Sequence, residues 1–223
     1  MTSIDIHFNR TQRIGPLEVW PMKWTGLSKV RYQVAPNVDQ LFFREFDEGE
    51  GPEIGRIEVF NPTSTSALIP SGWVIGGDLL QVRTFDSSEF VEPMASIVAN
   101  VSCVEKGRWG EGITEVDGGR APLSVQAAGR LFNRNSRLWS VDYSLRQQRV
   151  WQRVSTIENR NGKRPTNSLK QIMEEDSLTS IISQTVFSET SSSLKLLRGQ
   201  NAFVATYEGV PLFLECFSSA SAL

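Results

Sequence analysis

The sequence predicts an α+β fold: an antiparallel β-sandwich-like sheet, a helical section between residues 120 and 187, and a closing C-terminal β-hairpin. Three observations carry this expectation. Residues 1–106 hold many short β-rich runs separated by Gly, Pro, Asn, Asp or Ser, the punctuation of hairpins and meanders. The same stretch shows no strand–helix alternation, which argues against a doubly wound parallel sheet. Farther on, the apolar period changes from 2 to 3.6 and then back to 2 before the chain ends,.

Taken in order, Ile4, Ile6 and Phe8 alternate as a first strand. Further β-rich runs follow at Lys29–Val34, Leu41–Phe46, Arg56–Phe60, Leu79–Phe85 and Ser96–Val104. Between the first two lies Trp20-Pro21-Met22-Lys23-Trp24, an aromatic cluster expected to pack as core or at a subunit contact,. Val150, Trp151, Val154 and Ile157 fall on one side of a helix, with Arg146, Arg149, Arg153 and Arg160 on a neighbouring stripe,. Pro165, Thr166 and Asn167 supply start signals for a second helix carried by Leu169, Ile172 and Met173,. Leu178, Ile181 and Ile182 form a next apolar stripe, and Ser188–Ser193 reads as a loop. Ala202–Tyr207 and Val210–Phe217, joined at Glu208-Gly209, make the hairpin that returns the chain to the first sheet,. With no internal repeat and a length of 223 residues, the whole reads as a single domain.

Composition narrows the function classes. The chain is 39% hydrophobic and 22% charged, ordinary for a globular protein with a sizeable core. No apolar run approaches the about 18 residues that span a bilayer, and the first ten residues are not a signal peptide,; a cytoplasmic location is expected. One histidine, His7, removes multi-histidine metal sites and disfavours histidine-dependent catalysis,. Two cysteines 113 residues apart form neither a disulfide framework nor a zinc module,. No metal and no cofactor are expected. The acidic run of Asp47, Glu48, Glu50 and Glu53 lacks EF-hand spacing and reads as a solvated turn,.

Charge is uneven. Residues 120–164 carry nine arginines and one lysine against Asp142 and Glu158, a local charge of +8 in a chain of net −2. Arginine binds phosphate through two parallel hydrogen bonds and stacks on bases, and Trp109, Trp139 and Trp151 lie close by in sequence. An anionic partner is one reading; arginines solvated or paired with the acidic remainder are the other. Nucleic acid is disfavoured by the acidic total and the absence of a binding motif.

The most distinctive local sequence is Cys103-Val104-Glu105-Lys106-Gly107-Arg108-Trp109. In a strand, Val101, Cys103 and Glu105 face one way and Ser102 and Val104 the other,. Glu105 and Arg108 then stand at a strand end, either as a small polar ligand site or as an ion pair locking a turn. Cys103 reads as a buried small hydrophobe rather than a nucleophile, having no histidine nearby. Gly72, Gly76 and Gly77 allow a phosphate cradle,. With no helix after them and no Lys-Ser/Thr closing them, a turn between strands is the preferred reading.

Cys-Val-Glu-x-Gly-Arg-Trp after a β-rich half resembles the ADP-ribosylglycohydrolase- and rhodanese-phosphatase-associated domain family. Leu68-Ile69-Pro70-Ser71-Gly72, Gly76-Gly77, Gln81 and Arg83 resemble its glycine loop and Gln-x-Arg. Gln148, Val150-Trp151 and Val154 resemble its Gln-x-Val-Trp helix signature. The resemblance covers about Asp39 to Phe217. It implies association with NAD and ADP-ribose-linked pathways, with no established reaction to carry over.

The expected function is therefore binding of a small anionic, nucleotide-like ligand, with Glu105, Arg108, Trp109, Gln81 and Arg83 as ligand-binding residues. Two alternatives stay open. One is a structural module, in which basic and acidic regions of one chain allow a homo-oligomer. The other is a hydrolase using Glu105 as a buried general base. No catalytic residue is fixed.

Overall fold

The computed structural model describes residues 5–14, 17–25, 32–34, 41–49, 51–76, 81–106, 120–130, 139–160, 169, 195 and 197–216. They fall into two compact units, one of Met1–Arg31 with Asp176–Leu223, the other of Tyr32–Glu175.

In the first unit β1 (Asp5–Phe8), β2 (Gln12–Ile14), β3 (Leu17–Thr25), β12 (Ala202–Tyr207) and β13 (Val210–Cys216) form one antiparallel sheet. β1 and β2 lie along one edge of β3, pairing with Met22–Thr25 and Leu17–Val19, and β12 takes the other edge. The Trp20–Trp24 cluster thus belongs to a nine-residue strand that turn punctuation hid, with Pro21 and Met22 buried. The expected C-terminal hairpin is present and returns to this N-terminal sheet. Its two turn residues, Glu208 at φ 49° and Gly209 at φ 78°, are both left-handed, as tight hairpin turns require.

The second unit is a two-sheet sandwich with helices on one side. β5 (Phe42–Asp47), β6 (Pro52–Asn61), β11 (Ala95–Cys103), β9 (Arg83–Phe85) and β8 (Val74–Ile75) form a five-stranded antiparallel sheet. β10 (Glu89–Val91), β7 (Ser66–Ile69) and β4 (Tyr32–Val34) form a smaller one, in which β4 runs parallel to β7. Alternation places Ile57, Val59, Ala99 and Val101 on one face, where they meet Ala67, Ile69, Val91, Ile75 and Phe85 in the core between the sheets,. A second core holds Val74, Val82, Val104, Ala121, Val125, Ala128, Val150, Val154 and Leu169. It lies against α1 (Leu123–Arg130) and α2 (Trp139–Arg160).

β11 therefore changes character along its length. Ser96 and Val98 face solvent, whereas every residue from Val101 to Glu105 is buried, because the helices cover the face that is open earlier. Val101 joins the first core and Val104 the second, the division that alternation predicts.

The expected strand over Leu79–Phe85 is shorter, with β9 beginning at Arg83. Pro70–Trp73 is a turn closed by the Trp73 N–H on the Pro70 carbonyl (3.1 Å), with Gly72 at φ 82°. The glycine segment at this point is a turn between strands. Leu169 is buried and donates its N–H to the Val104 carbonyl at 3.0 Å. Ile172, Met173, Leu178, Ile181, Ile182 and Ser188–Ser193 lie outside the described residues.

Candidate functional site

Three of the five residues expected to bind ligand converge where β9 meets the end of β11. Gln81 is 2% exposed, Arg83 is fully buried, and Glu105 is 1% exposed. Arg83 and Cys103 are cross-strand partners, and the Glu105 carboxylate accepts the Val82 N–H at 3.3 Å, between Gln81 and Arg83. Arg108 and Trp109 lie outside the described residues. The acid that pairs with Arg83 is Glu45 of β5, with Nη2 and Oε2 2.6 Å apart. Among the described residues, none of Nε, Nη1 and Nη2 of Arg83 makes a hydrogen bond, so the contact with Glu45 is an ion pair without hydrogen-bond geometry.

Next to this pair, Cys103 is held by its surroundings. Its thiol donates to the Glu105 carbonyl at 3.0 Å and accepts the Glu105 N–H at 3.3 Å. Burial pushes the thiol up to about 11, so it remains protonated and is no nucleophile at neutral pH. The Cys103 backbone is bound from α2: its N–H donates to Gln147 Oε1 at 2.8 Å, and its carbonyl accepts from Gln147 Nε2 at 2.6 Å. Pairing with β6 ends at Asn100, and the Gln147 amide takes over as a side-chain extension of the ladder. Tyr143 donates to Gln147 Oε1 at 3.1 Å, and its ring packs on Gly55 of β6, where any Cβ would collide with it. Burial also drives the Tyr143 phenol above its ordinary range.

The second ion pair joins the sheet to the helices. Arg146 Nη1 lies 3.1 Å from Asp86 Oδ2, with side chains 2% and 0% exposed, and Ser102 Oγ donates to Asp86 Oδ1 at 2.7 Å. Gly129 of α1 permits the approach: a Cβ there would stand 2.7 Å from Asp86 Oδ1. Burial raises Asp86 to about 6, against the opposing pull of Arg146 and Ser102. Burial likewise lowers Arg146, against the pull of Asp86. Arg146 also lies over the Tyr143 ring, 5.1 Å from its centroid.

Sequence reasoning grouped Arg146 with Arg149 and Arg153 on a stripe neighbouring the apolar one, and the structure separates them. Arg146, Val150, Val154 and Glu158 are all buried, whereas Arg149 and Arg153 are exposed. Within the helix, Gln148 is exposed and its neighbour Gln147 binds the strand. Glu45, Asp86, Ser102, Tyr143 and Gln147 were missed. A signal for two of them existed, because Tyr143, Gln147, Val150 and Val154 recur at i, i+4, i+7 and i+11, one face of a helix.

The acidic run is a turn. Asp47 Oδ1 accepts the N–H groups of Gly49 and Gly51 at 2.6 and 3.0 Å. Arg56 holds Glu53 at 2.6 Å and Glu48 at 3.3 Å. Among the described residues no group of three or more His, Cys, Asp or Glu is placed to hold a metal ion, and no described helix is long and apolar enough to cross a membrane.

The family model of ARPP-1, the ARG and Rhodanese-Phosphatase-superfamily-associated Protein domain, matches residues 5–223. The chain belongs to this family. No curated protein and no solved structure matches it. The buried polar centre of this ARPP-1 domain is therefore read from its own geometry. It holds two arginines, each against a carboxylate, at the junction of sheet and helices.

Proposed function

We propose that this ARPP-1 domain binds a small anionic, nucleotide-like ligand of ADP-ribose- and NAD-linked chemistry, with Arg83 as the group that recognises the anion. The observation that carries the reading is the buried guanidinium whose three nitrogens make no hydrogen bond among the described residues. Buried donors are nearly always satisfied, and a guanidinium fork matches phosphoryl oxygens. Burying a charge is expensive, and replacing a buried ion pair by apolar side chains is often neutral or stabilising. Two such pairs in one unit thus favour a functional role over a purely stabilising one. The family's association with ARG and rhodanese-phosphatase superfamilies supports the ligand class. Gln81, Glu105, Arg108 and Trp109 complete the proposed site with Arg83.

The test is a thermal-shift screen of the full chain against ADP-ribose, NAD, AMP, phosphate and sulfate. A stabilisation that saturates with one nucleotide and is lost in Arg83→Lys, which keeps the charge but not the fork, is the expected result. A flat response to all five would overturn the reading.

A structural interaction module is the second reading, favoured by the near-zero exposure of Gln81, Arg83 and Glu105. On that reading the same residues are an ion-paired lock, Arg83→Lys lowers stability, and no added anion restores it.

A further inference from the structure

We propose that Glu45 is a built-in competitor for the anion site: its carboxylate occupies Arg83 until a phosphoryl oxyanion displaces it. This rests on the reading of Arg83 given above. Arg83 is fully buried, whereas the Glu45 side chain keeps 17% exposure, so the acid is the member of the pair that faces solvent. Glu45 lies on β5, an outermost strand of the described five-stranded sheet. The register of β5 against β6 shifts between Glu45 and Asp47. Such irregularities bend a strand, re-aim its side chains and recur beside binding sites. Glu45 thus sits where a side chain can swing outward without breaking a regular ladder.

The chemistry of the pair points the same way. Glu45 Oε2 lies 2.6 Å from Nη2 as an ion pair, yet none of Nε, Nη1 and Nη2 makes a hydrogen bond among the described residues. A phosphoryl group carries several oxygens in a geometry that grips two nitrogens along one guanidinium edge. Exchange of one anion for another also keeps Arg83 compensated throughout, which matters because a buried charge stripped of its partner is strongly destabilising. A neutral ligand cannot make that exchange. The site is therefore selective for mono- or diphosphoryl groups, and Glu45 sets the threshold at which they bind.

Calorimetric titration with ADP-ribose and with inorganic phosphate tests this on the full chain, using wild type, Glu45→Gln, Glu45→Ala and Glu58→Gln. Glu58 pairs with Arg44 on the outer face of the same sheet, so its variant removes an equal charge away from Arg83. Both Glu45 variants should bind at least about tenfold more tightly than wild type, and Glu58→Gln should match wild type. Binding by the Glu45 variants alone supports the competitor in its strongest form. An equal gain in Glu58→Gln would reduce the effect to net charge and overturn it. If wild type binds ADP-ribose through Arg83 but neither Glu45 variant binds more tightly, the competitor fails while the binding reading stands. If no variant binds either probe, both fail.

Discussion

At the scale of single residues, the polar centre depends on side chains that stand in for backbone. Gln147 satisfies both the N–H and the carbonyl of Cys103 at the point where β6 no longer pairs with β11. Replacing it by an isosteric apolar residue strands two buried backbone groups together. Gln147→Leu should therefore cost about 2–4 kcal/mol in denaturant unfolding, whereas Gln148→Leu one position along should stay within about 0.5 kcal/mol. Equal effects at the two positions would mean that the amide does not hold the strand. The contrast also marks how far residues were legible. Cys103 and Glu105 stood out in the sequence as a thiol and a carboxylate at a strand end before a glycine, and Gln81 and Arg83 stood out only through the family resemblance. Gln147 and Gln148 are chemically identical, and only helical phase separates them. Glu45 left no mark at all, because the contact that pairs it with Arg83 spans β5 and β9, which are far apart in sequence.

At the scale of elements, one carboxylate gathers contacts from the sheet and from both α1 and α2. Asp86 follows β9, receives Ser102 Oγ from β11 and Arg146 from α2, and is approached by Gly129 from α1. Glu89 of β10, itself raised by burial against a hydrogen bond from Ser87, adds to the negative field. Because burial lifts Asp86 from 3.8 to about 6, the folded chain binds its proton more tightly than the unfolded chain does. Its favourable contribution is therefore complete below pH 3.8 and is lost as pH rises toward about 6,. Unfolding midpoints of wild type and Asp86→Asn across this range should show it. The stability of wild type relative to the variant should fall as pH rises through the window and level off above it. A constant difference would remove Asp86 as the group responsible. Elements were the most legible level of the fold, since β5, β6, β11, α2 and the C-terminal hairpin announced themselves by period. β3 did not, because Pro21 and two tryptophans read as a cluster rather than a strand; Pro21 is buried with its carbonyl accepting the Asn9 N–H at 2.9 Å. The buried end of β11 read as two alternating faces, and it is the helices that cover the second of them.

At the scale of the whole molecule, the sequence gives up least, because it reads as one chain with one charge gradient. The described arginines of segment 120–164 do not share one surface. Arg146 is buried against Asp86, Arg120 donates to the Ser71 carbonyl at 3.0 and 3.2 Å, and Arg149 and Arg153 are exposed. The division into units is likewise invisible in composition, since the first unit takes Met1–Arg31 and Asp176–Leu223 from opposite ends of the chain. Its sheet is closed only when β12 pairs along β3 and β13 along β12, and Ala202 and Ala205 of β12 are buried core residues. Ending the chain after Gln200 removes both strands and leaves β3 with the short β1 and β2 alone. Small sheets with one packed edge are marginal in water. The second unit keeps its own two cores, both formed from residues between Tyr32 and Glu175. Hydrogen exchange on the truncated chain should accordingly show β3 amides exchanging rapidly while those of β6, β9 and β11 remain protected. Loss of protection in both sets together would establish instead that the 223 residues fold as one cooperative domain.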